Sequence, residues 1–358
     1  MIEQTIRIHG LMKSKATSFD IAHMAGVSQS TVSRALSDSP LVNQETRERI
    51  KKIAKDLNYK VDKNASNLRK QHSQTLALLL FEDPTSDDSL INPFFISMLG
   101  SITKATAAAG YDLLVSFQNM KDDWHAVYED SNKADGLILL GYGSYTDYEY
   151  KLSQLEEQGT RFLRWGAPDK KHPGISIGCD NFLGGVEITK HLVNLGHRSF
   201  AFIGQADESA PEFKGRFDGF MTVISQAGFD TSTVVQKNAI STELSGYNAA
   251  MEILAGDHPD AIVCASDLIA MGAIRAIRSK GLKVPRDIAV VGYDNIQISQ
   301  FASTPLTTVH QNTQIAGELL VSNLLKLIHN EPVTDYLMPP ELIIRQSCGH
   351  DFKPNKTS

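Results

Sequence analysis

Hydrophobic and polar positions change their rhythm once along this chain, near Thr75. Before that point apolar residues recur at helical spacing in short stretches broken by turn formers. Thr17–Leu36 reads as two short helices joined at Gly26: Thr17 followed by Asp20 makes a capping box, and Ser28 caps the second helix. Gly26 permits the positive φ of a tight turn, Ala22 is small where the helices cross, and Val27, Val32 and Leu36 supply contacts between them. A third helix is predicted from about Asn43, with Ile50, Ile53, Ala54 and Leu57 at i, i+3, i+4, i+7. After Thr75, short apolar runs alternate with helical patterns: Leu76–Phe81, Asp112–Phe117, Gly136–Gly141, Ile175–Cys179, Phe200–Gly204, Ala261–Ala265 and Ile288–Tyr293 read as buried strands. Several intervening helices are expected to stop at Gly110, Gly196, Gly228 and Gly281.

Repeated β-α units of this kind imply parallel sheets covered by helices on both faces. A chain of 358 residues with that many units is more naturally two doubly wound lobes than one sheet. The fold class is therefore α/β: a small all-α helix-turn-helix headpiece, then two parallel-sheet lobes. Ligands of such folds sit at the carboxyl ends of the strands, here in a cleft between the lobes.

Composition, 42% hydrophobic and 21% charged, is that of a globular protein, and no apolar run approaches the ~18 residues of a membrane span. No secretory signal is visible at the N-terminus, so a cytoplasmic location is expected. Three scattered cysteines, Cys179, Cys264 and Cys348, support neither a disulfide framework nor a zinc site and are expected to be buried thiols. The net charge of −6 conceals an asymmetry: residues 1–72 hold 13 Lys and Arg against 7 Asp and Glu, leaving 22 against 34 for the remainder. A basic head on an acidic body fits a DNA-binding module joined to a second function. The second helix presents Ser28, Gln29, Ser30, Thr31, Ser33 and Arg34, whose hydroxyls, amide and guanidinium suit phosphates and base edges in a major groove.

The chain also resembles the lac and galactose repressor family of bacterial transcription regulators along nearly its full length. The residues that carry the resemblance are Asp20-Ile21-Ala22, Ala25-Gly26-Val27-Ser28, Thr31-Val32-Ser33-Arg34 and Leu57-Asn58-Tyr59. They continue with Asn92-Pro93-Phe94-Phe95, Cys179-Asp180-Asn181 with Gly184-Gly185, Leu195-Gly196-His197-Arg198 and Arg216 with Gly219-Phe220. Ala265-Ser266-Asp267, Val291-Gly292-Tyr293-Asp294 and Pro305-Leu306-Thr307-Thr308-Val309 complete the set. Each is weak alone; their common order is not.

The resemblance implies a headpiece over 1–60, with 1–15 disordered or an extension, and a hinge helix or linker over 61–73; read from the residues themselves, Met12-Lys13-Ser14-Lys15 looks like a natural start that leaves 1–11 as the extension. The resemblance also implies a core over 74–350 and a tail over 351–358. Lobe one would take about 74–178 and 309–337, lobe two 179–308 and 338–350, with crossovers near Cys179, Val309–Gln311 and Leu337. A homodimer would bind a near-palindromic double-stranded DNA operator, one headpiece per half-site. The tail residues Lys353–Ser358 are too short and polar for a tetramerising heptad helix. Gln29, Ser30 and Arg34 fall on base-reading positions; Ser28, Thr31, Ser33 and Thr46 are better placed for phosphates; Tyr59, which ends the third helix, is a further DNA-binding candidate. Leu68 falls on the position that wedges into the minor groove, although by itself it would read as an exposed linker leucine.

For the cleft, the resemblance places Arg216 on ligand oxygens and Asp294 on ligand hydroxyls, with Phe95 as an aromatic wall and Glu212 and Ser266 as further pocket candidates. Without it, Arg216 would be a surface ion pair and Asp294 a turn residue. Asp267 is expected to cap the helix that follows it. A sugar is the leading effector; a purine- or phosphoprotein-responsive regulator is the alternative. Two departures stand out. Val61-Asp62 replaces the common Pro-Asn, which loosens the start of the hinge helix. Gly166 stands where relatives often carry aspartate, beside a Trp165 that either lines the pocket or packs in the core.

Rival classes fare worse. A periplasmic-type solute carrier needs a secretion signal and no helix-turn-helix. An enzyme would need chemistry that is not apparent: no Gly-rich phosphate loop follows Leu76–Phe81, there is no nucleophile elbow, and the 11 histidines lack metal-helix spacing. No cofactor and no metal is expected.

Overall fold

In the computed structural model of the protein, residues 16–59, 72–82, 91–141, 145–168 and 173–351 are described. Val61, Asp62 and Leu68, the hinge residues singled out above, lie outside them. Chain contacts divide the protein into two units, Met1–Ser73 and Gln74–Ser358.

The first unit contains α1 (Ser18–Ala25), α2 (Gln29–Leu36) and α3 (Gln44–Asp56). Thr17 and Asp20 form the predicted capping box, with Asp20 Oδ2 accepting from the Thr17 amide at 2.7 Å. Gly26 ends α1 at φ 63°, a left-handed conformation that side-chain-bearing residues disfavour. Ser28 caps α2 and Asn43 caps α3. Helix α3 closes on Asn58 at φ 48°, with the Asn58 amide donating to Lys55 and the Tyr59 amide to Ala54, which satisfies the carbonyls a helix end leaves open. Ile21, Val32 and Ile50 are fully buried at the junction of the three helices. Each such side chain stabilises by about 1.5–3 kcal/mol, and the cluster is small, so the unit is modestly stable.

The second unit holds two six-stranded sheets. Sheet one comprises β1 (Thr75–Leu80), β2 (Asp112–Phe117), β3 (Gly136–Leu140), β4 (Phe162–Trp165), β5 (Ile175–Cys179) and β11 (Tyr336–Met338), in the order β2-β1-β3-β4-β5-β11 and parallel throughout. Its helices are α4 (Pro93–Ala108), α5 (Tyr145–Glu157) and α10 (Thr313–Ile328). Sheet two comprises β6 (Phe200–Ile203), β7 (Val235–Lys237), β8 (Ala261–Cys264), β9 (Ala289–Asp294), β10 (Thr307–His310) and β12 (Glu341–Ile343), in the order β7-β6-β8-β9-β10-β12, with β12 antiparallel. Its helices are α6 (Asn181–Asn194), α7 (Pro211–Gln226), α8 (Glu243–Ile253) and α9 (Asp267–Ser279). Helices α4, α6, α7 and α9 end just before the glycines predicted to stop them.

One sequence expectation changes here. Asp112–Phe117 forms β2, but as an edge strand with Leu114 and Val115 exposed rather than a buried one, because only β1 pairs with it. Strand β10 runs to His310 within sheet two, and Met338 pairs with Cys179 in sheet one. The chain thus passes between the sheets after Cys179, after His310 and after Met338. Strands β4, β7, β10, β11 and β12 are not marked in the sequence: all are three or four residues long, and β4, β7, β10 and β12 carry polar residues where the equally short β6 and β8 are wholly apolar.

Close helix packing on lobe two explains several glycines. A Cβ at Gly185 would meet the Arg216 carbonyl at 2.2 Å, and one at Gly219 the Phe182 carbonyl at the same distance. Backbone is thus in contact with backbone where α6 crosses α7, which fixes the base from which Arg216 projects. All three cysteines are free and buried. Among the described residues, no helix is long and apolar enough to cross a membrane.

Candidate ligand cleft and DNA-reading helix

Three successive strands of lobe two end beside one cavity of about 400 Å³. The residue after β8 is Ala265, the last residue of β9 is Asp294, and Gln311 follows β10. Arg216, from α7, meets the first two directly. Its Nη1 donates to the Ala265 carbonyl, and lies 3.6 Å from Asp294 Oδ1. Its Nε donates to Asn181 Oδ1 at 2.9 Å, and its guanidinium stacks on the Tyr293 ring, 3.8 Å from the centroid. Gln311 Nε2 donates to Asp294 Oδ1 at 2.7 Å, which joins the third strand end to the same group. Arg216, Asp294 and Gln311 are all buried.

Burial pushes the Asp294 carboxyl up to about 6, opposed by Arg216 and by the Gln311 hydrogen bond. The backbone there is strained: Asp294 stands at φ 108° and Asn295 at φ 55°, which costs on the order of 1–3 kcal/mol per residue. The turn is held by Asp267, whose Oδ2 accepts from the Ile296 amide at 2.8 Å and whose Oδ1 accepts from the Thr308 hydroxyl at 2.6 Å. Arg345 adds a hydrogen bond to Asn295 Oδ1 at 2.7 Å. Burial, and Asp294 nearby, drive the Asp267 carboxyl well above the usual carboxylate range.

Apolar walls complete the cavity: Phe81, Phe94, Phe95 and Trp165 from lobe one, Phe213 and Ile240 from lobe two. Phe94 packs edge-on against Phe95 at 5.4 Å between centroids. Trp165 does both things left open for it: it packs in the lobe-one core and borders the cavity. The volume is within the range of small-ligand sites.

Of the residues singled out in the sequence, Phe95, Glu212, Arg216 and Asp294 come together on this cavity. Ser266 does not reach its lining. It is fully buried as the cap of α9, accepting from the Ile269 amide, and is hydrogen-bonded to Ser241, which does line it. Asp267, expected as that cap, is instead the first residue of α9 and turns inward to the β9–β10 turn. Asn181, Ser241 and Gln311 were missed as site residues. A polar residue directly after a strand at an expected crossover was the available signal for Gln311, and Asn181 stands one residue further on past β5 as the first residue of α6; nothing local marks Ser241.

In the separate N-terminal unit, Ser28 accepts from the Thr31 amide, and its Oγ lies 2.8 Å from the hydroxyls of Ser30 and Thr31. Ser28, Ser30, Ser33 and Arg34 are placed on the outer side of α2, away from the buried Val32 and Ala35. Gln29 donates to Ser18 Oγ at 2.7 Å, tying α2 to α1. Thr46 lies in the first turn of α3 with its amide donating to Asn43, and Tyr59 packs partly buried against the helical core.

A helix-turn-helix on one unit and a two-lobed, polar-floored ligand cleft on the other define a DNA-binding regulator that answers to a small molecule. The comparisons agree. A family model for bacterial regulatory proteins of the lacI family matches residues 19–62, and one for the periplasmic binding protein-like domain matches residues 189–348. The chain is 32% identical to the HTH-type transcriptional repressor PurR of Pasteurella multocida over 93% of its length and 98% of that protein. The corresponding PurR of Glaesserella parasuis is 31% identical over the same shares. The lac repressor dimer bound to operator and the anti-inducer ONPF superposes with a TM-score of 0.80 at 25% identity, covering 94% of this chain and 99% of that one. A complex of the transcriptional regulator CelR with cellobiose gives 0.68 at 27% identity, covering 93% and 99%. The chain belongs to the lacI family: it is a DNA-binding transcriptional repressor whose hold on its operator is controlled by a small metabolite.

Proposed function

We propose that the controlling metabolite is a sugar, bound between the lobes of a cytoplasmic homodimer that sits on a near-palindromic operator. The observation that carries this reading is the buried floor of Arg216, Asp294 and Gln311 beneath aromatic walls. A guanidinium supplies donors only, a carboxylate accepts, and an amide does both, which matches a ring edge of adjacent hydroxyls. Phe95 and Trp165 would cover the apolar face of the ring. On DNA, Arg34 reads guanine with Gln29 and Ser30 beside it, Ser28, Thr31, Ser33 and Thr46 hold phosphates, Tyr59 supports the headpiece, and Leu68 wedges the central step. For Gln29 this requires release of Ser18.

A purine base is the second reading, favoured by the same aromatic walls, which would bracket a flat ring. A thermal-shift screen of the full chain against sugars, sugar phosphates and nucleobases separates the two. A shift of several degrees with one neutral sugar supports the first reading, and a shift with a nucleobase alone replaces it by the second.

A further inference from the structure

Beside the cavity, the lobes also touch each other directly. Glu212 lies in the first turn of α7, on lobe two, and its Oε1 accepts a hydrogen bond of 3.0 Å from the backbone amide of Ala167, on lobe one. The seat for that carboxylate is made by Gly166. A Cβ at position 166 would stand 2.6 Å from Glu212 Oε1, well inside contact distance, and the glycine adopts φ 150°, which other residues rarely take. Ala167 is itself fastened to lobe one, its carbonyl accepting from Arg164 Nη1 at 3.2 Å and from Ser176 Oγ at 3.3 Å. A pull on Ala167 is therefore a pull on the whole lobe. Glu212 is half-buried beside the cavity, and desolvation there raises its carboxyl above the ordinary range. A second interlobe bond, Asn92 Nδ2 to Ser241 Oγ at 3.2 Å, also borders the cavity.

We propose that Glu212, seated by Gly166, is a positioning residue for cleft closure: a latch that holds the lobes together at the β4 end of the cavity before any ligand is bound. A cleft held shut in part by its own chain presents more of the binding-competent form to the effector, and apparent affinity scales with that fraction. The absence of a side chain at 166 is then a requirement of the latch, since any Cβ would push the carboxylate out.

The contact can be read without an effector, so its failure is separate from any failure of the sugar reading. Hydrogen–deuterium exchange of the full-length protein would follow the Ala167 amide in a peptide spanning residues 162–168. Wild type and Glu212→Gln, whose amide carbonyl can still accept, should exchange at the same slow rate. Glu212→Ala and Gly166→Ala should each exchange at least about tenfold faster, and the double variant no faster than either alone, because both remove one contact. Unchanged exchange in Glu212→Ala, loss of protection in Glu212→Gln, or additive effects in the double variant would overturn the latch. Amides of β3 serve as the folding control: should Gly166→Ala speed those as well, the pair Glu212→Ala and Glu212→Gln decides alone.

Discussion

Gln311 Nε2 donates to Asp294 Oδ1 at 2.7 Å. One partner lies on the segment by which the chain leaves lobe two for lobe one; the other is the carboxylate on the cavity floor. On the proposed reading of Asp294 as an effector contact, the ligand would share this carboxylate with a residue of the lobe crossover, and one hydrogen bond would join occupancy to lobe angle.

Gln311→Leu tests that link. It leaves a buried carboxylate short of one donor, so stability should fall by about 1–3 kcal/mol in urea unfolding. The Asp294 carboxyl should rise beyond about 6, and the thermal shift produced by the effector should shrink. An unchanged shift would mean that the crossover does not feel the ligand.

Arg216→Ala removes the only charge partner shown for Asp294 among the described residues. Breaking a buried pair costs roughly 3–5 kcal/mol, reduced by whatever protonation of the carboxylate recovers. The folded variant should show no melting-temperature change on adding a sugar that shifts wild type. Arg216→Lys keeps the charge and loses the fork, so it should recover stability more than binding. Equal recovery of both would count against a ligand-facing guanidinium.

The pH dependence follows from the sign of the Asp294 shift. Its folded value of about 6 lies above the unfolded one, so the folded state holds this proton more tightly. The resulting stabilisation is complete below about pH 4 and is lost as pH rises through about 6, a change of at most ~3 kcal/mol. Asp294→Asn carries no such proton. The stability of wild type minus variant should therefore fall across this window and level off above it. A difference that is flat with pH would show that the carboxylate is not held as its burial implies.

Arg34→Ala acts on the other unit. Operator affinity should drop by about 1–3 kcal/mol in a binding titration, with discrimination against altered half-sites relaxed. Because Met1–Ser73 and Gln74–Ser358 are separate units, the melting of the core and its response to effector should match wild type. A lost effector response would contradict this separation.

Much of the architecture is legible in the residue pattern. Thr17, Asp20, Gly26, Ser28 and Asn43 act through bonds to residues within a few positions, so local spacing is enough to read α1, α2 and α3. The uninterrupted or nearly uninterrupted apolar runs of β1, β3, β5, β8 and β9 read equally well. Ser266 and Asp267 show where such reading stops. Both follow a strand and precede a helix, and either could cap it; which one does depends on Thr308 and the Ile296 amide, some 30 to 40 residues further on, claiming the Asp267 carboxylate.

The cleft divides in the same way. Sequence alone determined the helix-turn-helix and the repeated β-α units, which rest on short-range pattern, while Arg216, Asp294, Phe95 and Glu212 became candidates only through the family resemblance that motif order carries. Only the folded chain decided that Gln311 completes the floor, that Ser241 rather than Ser266 lines it, and that Gly166 is the seat of a carboxylate on the opposite lobe. Each of those facts is a contact between segments far apart in the chain, and hydrophobic period and capping chemistry carry no information about which distant surface will arrive.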